Sequence, residues 1–235
     1  MPGSLNVSAL VLRSSIYSDY DRMVTLLTEE RGRVDAVARG CRRPKSELMN
    51  AAEPFVCGQY QLYFNHERYS VTQCKITDGF FGLRGDYERL CLGAKWLKKL
   101  EAVSVPEQPC PGLLQCALTA LTYLTHSELD LALLDCMFNL KLSFFGGFAP
   151  SADRCAQCGR SANETALRFD ASKGGCVCGF CAPNAKPLSE GARRILLKAP
   201  RTPYRAVEKL EGHPDLPEAA ARIEETVEEA LGATK

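Results

Sequence analysis

The chain lacks any apolar run long enough to cross a bilayer, which takes roughly 18 to 20 residues. Its most apolar stretch, LDLALLDCMFNLKLSFF (129–145), is interrupted by Asp130, Asp135, Asn139 and Lys141, so it reads as a buried helix. Net charge is nearly absent too. With 29 basic against 28 acidic residues the chain carries +1, and no global field draws it to nucleic acid or membrane. Any such affinity must come from uneven placement of charge. Histidine is scarce, at positions 66, 126 and 213 only. No G-x-x-x-x-G-K-S/T phosphate loop occurs, which excludes that class of ATPase. The opening MPGSLNVSALVLRSS has neither the basic n-region nor the apolar length of a signal peptide, and the expected location is the cytoplasm.

Cysteine, by contrast, is abundant. Cytosolic thiols stay reduced, so twelve cysteines do not imply disulfides. Cys41, Cys57, Cys74, Cys91, Cys110, Cys116 and Cys136 are scattered and read as small buried hydrophobes. The other five crowd into CAQCGRSANETALRFDASKGGCVCGFC (155–181). Cys155 and Cys158, then Cys178 and Cys181, form two C-x-x-C pairs, with 19 residues between them. This spacing suits two knuckle turns and a hairpin that bring four thiolates onto one zinc ion. Gly159 stands where a knuckle often needs positive φ, and Gly174 and Gly175 suit the hairpin turn. Cys176 is read as the spare thiol, with replacement of Cys178 by Cys176 as the open alternative. A catalytic zinc keeps an open position with His or Glu nearby; four cysteines close the sphere and the segment has no His, so the metal is expected to be structural.

Up to about residue 80 the chain reads as strands at 8–14, 23–29, 33–39, 54–64 and 68–76, separated by turn material such as SDYD (18–21). Val34, Ala36 and Ala38 alternate with Arg33, Asp35 and Val37. Five short strands suggest a small antiparallel barrel of OB-fold type. From about 84 the period turns helical. Tyr87, Leu90, Ala94, Leu97 and Leu100 make one stripe, and Leu113, Leu114, Ala117, Leu121 and Leu124 make a second. Ser127 is placed as the cap of a third helix, 128–145, and Ser189 as the cap of 190–199; a last helix spans 217–232. The fold class is therefore α+β. The expected domains are an OB-fold (1–80), a helical domain in two parts (81–150 and 184–235) and a zinc-binding insert (151–183).

Charge is uneven in two places. RGRVDAVARGCRRPK (31–45) holds Arg31, Arg33, Arg39, Arg42, Arg43 and Lys45 against only Asp35. Arginine suits phosphate forks and base stacking. With Tyr60, Tyr63, Phe64 and Tyr69 on nearby strands, the stretch matches a phosphate-tracking groove with stacking rings, although half of such barrel aromatics belong to the core. A second basic run, 186–209, is explained equally well as a solvated face.

The stretches SDYDRMVTLLTEERGRVDAVARGCRRPKS (18–46), PF (54–55), LRGDYERL (83–90), FNLKLSFFGGFAPSADRCAQCG (138–159), GGCVCGFC (174–181) and LSEGARRIL (188–196) resemble the RecO family of bacterial recombination mediators along nearly the whole chain. The resemblance implies the same three-part architecture. It also implies binding of single- and double-stranded DNA and annealing of complementary strands. Family members work with RecR, and often RecF, to help RecA replace single-strand binding protein (SSB) on gapped DNA; some contact the acidic, hydrophobic C-terminal tail of SSB through the helical domain. Arg193, Arg194 and Lys198, beside Leu196 and Leu197, are the candidate contacts for that tail. The fifth cysteine departs from the four of the family pattern. The expected function is thus a non-enzymatic DNA-binding mediator. The alternative is a zinc-containing protein adaptor that does not itself anneal DNA. A zinc deaminase would need H-x-E with P-C-x-x-C, which is lacking.

Overall fold

Alternation carries the first third of the chain into a barrel. The computed structural model describes residues 3–232. Five strands, β1 (Gly3–Ile16), β2 (Arg22–Thr28), β3 (Gly32–Ala38), β4 (Cys57–Asn65) and β5 (Arg68–Asp78), close in the order β1-β2-β3-β5-β4. All neighbours are antiparallel except β3 and β5, which pair in parallel at Ala36–Tyr69, Val37–Ser70 and Ala38–Val71. This is the expected OB-fold arrangement.

Period-two residues fill the barrel: Val7, Ala9 and Val11 from β1, Val24 and Leu26 from β2, Val34, Ala36 and Ala38 from β3. Tyr60 belongs to this core as well, 1% exposed, and its hydroxyl donates to the Ala51 carbonyl at 2.7 Å. Leu10, Leu12 and Leu27 alternate to the outer face yet are also buried, because α1 (Tyr87–Val103) and α2 (Pro111–His126) pack on β1 and β2. Barrel and both helices form one compact unit that ends at His126; a second begins at Ser127.

The stripe of α2 is buried as expected, but that of α1 is displaced. Its buried line runs through Gly93, Trp96, Leu97 and Leu100, while Tyr87 is 80% exposed and Leu90 and Ala94 are half-buried. Gly93 lets the Phe55 ring approach this line closely: a Cβ there would lie 2.9 Å from the ring.

In the second unit α3 (Leu131–Phe145) is buried from Cys136 to Ser143 without a break. Its cap is Asp130, which accepts from the Leu133 N–H at 3.0 Å; Ser127 lies too far ahead of the first turn to serve. The buried polar groups of α3 find partners. Asn139 donates to Glu224 of α5 (Leu216–Gly232) at 2.7 Å, and the Lys141 ammonium donates to the carbonyls of Pro200 and Thr202. α4 (Glu190–Lys198) is capped by Ser189, whose hydroxyl accepts from the Ala192 N–H. Between α3 and α4, β6 (Leu167–Asp170), β7 (Gly175–Cys178) and β8 (Lys186–Pro187) form a sheet in the order β7-β6-β8. Among the described residues, no helix is long and apolar enough to cross a membrane.

Gly32 opens β3 with φ +63°, and the loop before α2 lies directly on it: a Cβ there would sit 2.7 Å from the Val105 carbonyl oxygen and closer still to that of Gln108. Gly32→Ala is therefore expected to lower stability by about 2–4 kcal/mol in chemical denaturation. A loss under about 1 kcal/mol would mean that the 105–108 loop yields freely.

Candidate metal centre and nucleic-acid interface

Two tight turns meet at the β7 edge of the small sheet. In the first, the Gly159 N–H reaches the Cys155 carbonyl at 2.9 Å, with Gly159 at φ +74°, and the Cys155 N–H donates to the Arg160 carbonyl at 2.8 Å. In the second, the N–H groups of Cys181 and Ala182 converge on the Cys178 carbonyl at 3.1 and 3.0 Å. The turns are tied together by Ala156 N–H to the Cys176 carbonyl and by Cys178 N–H to the Cys155 sulfur. Gly175, at φ +119°, lets the chain pass Ser151: a Cβ would lie 2.6 Å from the Ser151 nitrogen.

The result brings the Sγ atoms of Cys155, Cys158, Cys178 and Cys181 within 4.8 Å of one another. A tetrahedral ion with sulfurs at about 2.3 Å holds those sulfurs about 3.8 Å apart, and Cys158 and Cys178 are 3.8 Å apart here. The four residues could hold one metal ion, and the thiolate set suits a soft or borderline cation. Cys176 stays outside the cluster. It is fully buried on β7, and burial pushes its thiol up to about 12. Burial acts on Cys155 the same way, but N–H donors from Cys158, Cys178 and Gln157 outweigh it and draw that thiol down to about 6. Cys181, hydrogen-bonded to the Cys178 and Cys158 thiols, is driven up to about 12. Four adjacent thiolates cannot coexist without a cation, and a divalent ion removes the conflict.

The structure does not bring the six basic residues of 31–45 together. Arg31 pairs with Glu107 at 3.6 Å, and Arg33 donates to the Glu101 carbonyl at the end of α1. The groove beside them carries Asp35, Glu67 and Glu107, three carboxylates against two guanidiniums. Arg39, Arg42, Arg43 and Lys45 lie beyond the other end of β3, across a seven-residue strand of about 20 Å. All four are exposed, and among the described residues none forms an ion pair with a carboxylate.

This loop is clasped by the turn between β1 and β2. Asp21 accepts from the Gly40 N–H at 2.7 Å, and Tyr20 and Ser18 carbonyls accept from Arg42. The Gly40 N–H, then the Ser18 hydroxyl, hold the Asp21 carboxyl below its usual range, so the clasp keeps its charge at neutral pH. The Arg43 guanidinium lies 4.9 Å over the Tyr20 ring. Next to the clasp is a groove of about 750 Å³ bordered by Tyr17, Arg39, Tyr63, Arg68 and Tyr69. Arg68 donates to the Tyr17 hydroxyl at 3.0 Å. Phe64 packs on Tyr69 at 4.8 Å between centroids and lines the acidic groove beside Arg31 and Arg33 instead.

Family models match both parts of the chain: "Recombination protein O N terminal" over residues 1–80 and "Recombination protein O C terminal" over 84–230. The chain belongs to the RecO family. It is 29% identical to the DNA repair protein RecO of Acetivibrio thermocellus, over 82% of this chain and 77% of the relative. It is 34% identical to that of Anaeromyxobacter dehalogenans, over 83% and 78%, and 33% to that of Desulfitobacterium hafniense, over 76% and 65%.

In this RecO-family chain the sequence pattern passed over Tyr17, Tyr20 and Arg68. Tyr17 and Tyr20 stand in a turn rich in acid, and Arg68 is a lone cation at the start of β5; only tertiary contact with the 39–45 loop distinguishes them. A second groove, of about 520 Å³, lies along α4, with Ile195, Ala199 and Leu210 as its floor and Arg194, Lys198 and Lys209 at its rim. Arg193 does not line it. It donates to the Ala152 carbonyl at 2.7 Å and, with Arg194, grips Glu190, whose carboxyl falls to about 2.

Metal released by a mercurial and read with a chromogenic chelator is expected at one equivalent per chain. Cys178→Ser should lose the metal and several degrees of melting temperature, whereas Cys176→Ala should keep a full equivalent. Metal loss in Cys176→Ala, with retention in Cys178→Ser, would reverse the ligand assignment.

Proposed function

We propose that this protein is a non-enzymatic recombination mediator that binds single- and double-stranded DNA and anneals complementary strands. The observation that carries this reading is the clasped loop, whose exposed Arg39, Arg42, Arg43 and Lys45 have no carboxylate partner among the described residues, beside a groove edged by Tyr17, Tyr63 and Arg68. Phosphates would lie on the cations and unpaired bases on the tyrosine rings. Annealing makes no bond; it needs phosphate repulsion lowered so that two strands can meet, and a local cationic surface does this by releasing counterions. The near-neutral net charge then confines DNA to one face and limits binding elsewhere.

The metal on the four cysteines is read as one structural Zn2+. All four positions of a tetrahedral sphere are filled by thiolates, so the ion holds the 151–187 segment in shape and performs no chemistry of its own. In the pathway suggested by the family, the protein works with RecR, in many members with RecF, to help RecA replace SSB on gapped DNA at the nucleoid in the cytoplasm. The groove along α4 supports a docking place for the SSB tail: an acidic, hydrophobic peptide matches an apolar floor rimmed by Arg194, Lys198 and Lys209.

The test is anisotropy of a labelled oligo-dT strand over a range of salt. With three or four phosphate contacts, log K against log salt should slope by about −2 to −3. Arg39→Glu, Arg42→Glu and Arg43→Glu together should abolish binding with a native far-UV spectrum. Retained binding with an unchanged slope would remove this loop as the DNA site. No binding by the wild type at low salt would favour a protein adaptor that does not anneal DNA. For the second groove, Arg194→Glu with Lys198→Glu should weaken a labelled SSB-tail peptide about tenfold or more. Unaltered peptide affinity would exclude that placement.

A further inference from the structure

The metal knot displays a feature that its structural role does not require. Phe180, between Cys178 and Cys181, is 85% exposed, more than any other large apolar side chain among the described residues. The backbone beneath it is held by the two N–H bonds onto the Cys178 carbonyl, so the ring projects from a fixed turn. The Arg160 guanidinium comes over that ring at 5.8 Å, from the opposite knuckle, where its own carbonyl is tied to the Cys155 N–H. Ring and cation are thus set by the two halves of one metal site.

Arg160 forms no ion pair among the described residues. The nearby Glu164 carboxylate accepts from the Ser161 N–H, and Asp153 is paired with Arg154. Lys173 adds positive charge beside Cys181, donating to its carbonyl at 3.1 Å. No other large apolar side chain is exposed between 146 and 232, and one ring by itself is far short of the apolar area of a protein interface. An exposed ring beside a guanidinium with no carboxylate partner offers a stacking face for a base and a cation for a phosphate side by side.

We propose that Phe180 and Arg160 form a second contact for single-stranded nucleic acid, in which Phe180 stacks on an unpaired base and Arg160 takes the adjoining phosphate. Duplex DNA keeps its base faces covered, so the contact selects single strands. This rests on the reading that the barrel groove holds a strand, and it adds to the knuckle an activity that the metal supports without touching DNA.

The sole native tryptophan, Trp96, is fully buried, so Phe180→Trp installs an exposed reporter over a constant background. In the full, metal-loaded chain, oligo-dT of about 30 nucleotides should quench this reporter, and an abasic strand of equal length should bind without quenching. By anisotropy, Phe180→Ala should weaken oligo-dT about tenfold while retaining one metal per chain, and Phe180→Tyr should bind as the wild type does. Binding of oligo-dT with no quenching, and with Phe180→Ala unchanged, would overturn this contact and leave the groove reading intact. Absence of any strand binding by the wild type would overturn both. Loss of affinity that Phe180→Tyr does not restore would also overturn it, since stacking needs only the ring.

Discussion

Three residue pairs close the barrel, and the candidate nucleic-acid face depends on them. The parallel contact of Ala36–Ala38 with Tyr69–Val71 joins the end of β3 to the start of β5. Of β5 only Val71 is buried, so this strand is held by its ladder of backbone bonds far more than by apolar burial. Small residues on β3 let the strands meet. Because the closure lies where β3 ends, the loop leaving it, with Arg39 to Lys45, comes to rest beside Arg68 and Tyr69. The same pairing that seals the core therefore assembles cations and rings that are about thirty residues apart in the chain.

The metal knot solves a different problem. The segment from 151 to 187 has three short strands and a handful of buried apolar residues, among them Leu167, Phe169 and Val177. So small a core is marginal without a staple. Four thiolates on one ion would replace hydrophobic area with a few directional bonds. Arg193 then ties α4 to the same segment through the Ala152 carbonyl.

Charge shows where a reading from composition stops. Six cations in fifteen residues look alike along the chain. In the fold, Arg33 is bound to a carbonyl 68 positions away and Arg31 to Glu107, while four others remain open to solvent. Arg193 and Arg194 are neighbours with different work, the first bridging to Ala152 and the second edging a groove. A guanidinium neutralised by a carboxylate, or drawn half-buried onto a carbonyl as Arg33 is, offers less to a phosphate than one left exposed, and which arginine is so held depends on contacts remote in sequence.

What could be read locally was read correctly where the physics is local. Alternation in 33–38 marks a strand with one buried face, two C-x-x-C pairs mark two knuckles, and Ser189 before a helical run marks a cap, because each rests on neighbours within a turn or two. Short-range reasoning erred at two helices: the buried line of α1 runs through Gly93, which the Phe55 ring approaches from outside the helix, and leaves Tyr87 in solvent, and the true cap of α3 is Asp130. Sequence by itself determined the strands, the barrel class, the four cysteines and the family. Tertiary structure alone decided which arginines stay exposed without a carboxylate partner, that Tyr60 serves the core while Tyr17 and Tyr20 face outward, and how a groove forms. Those outcomes are set by barrel closure and side-chain pairing across long separations, which no local pattern encodes.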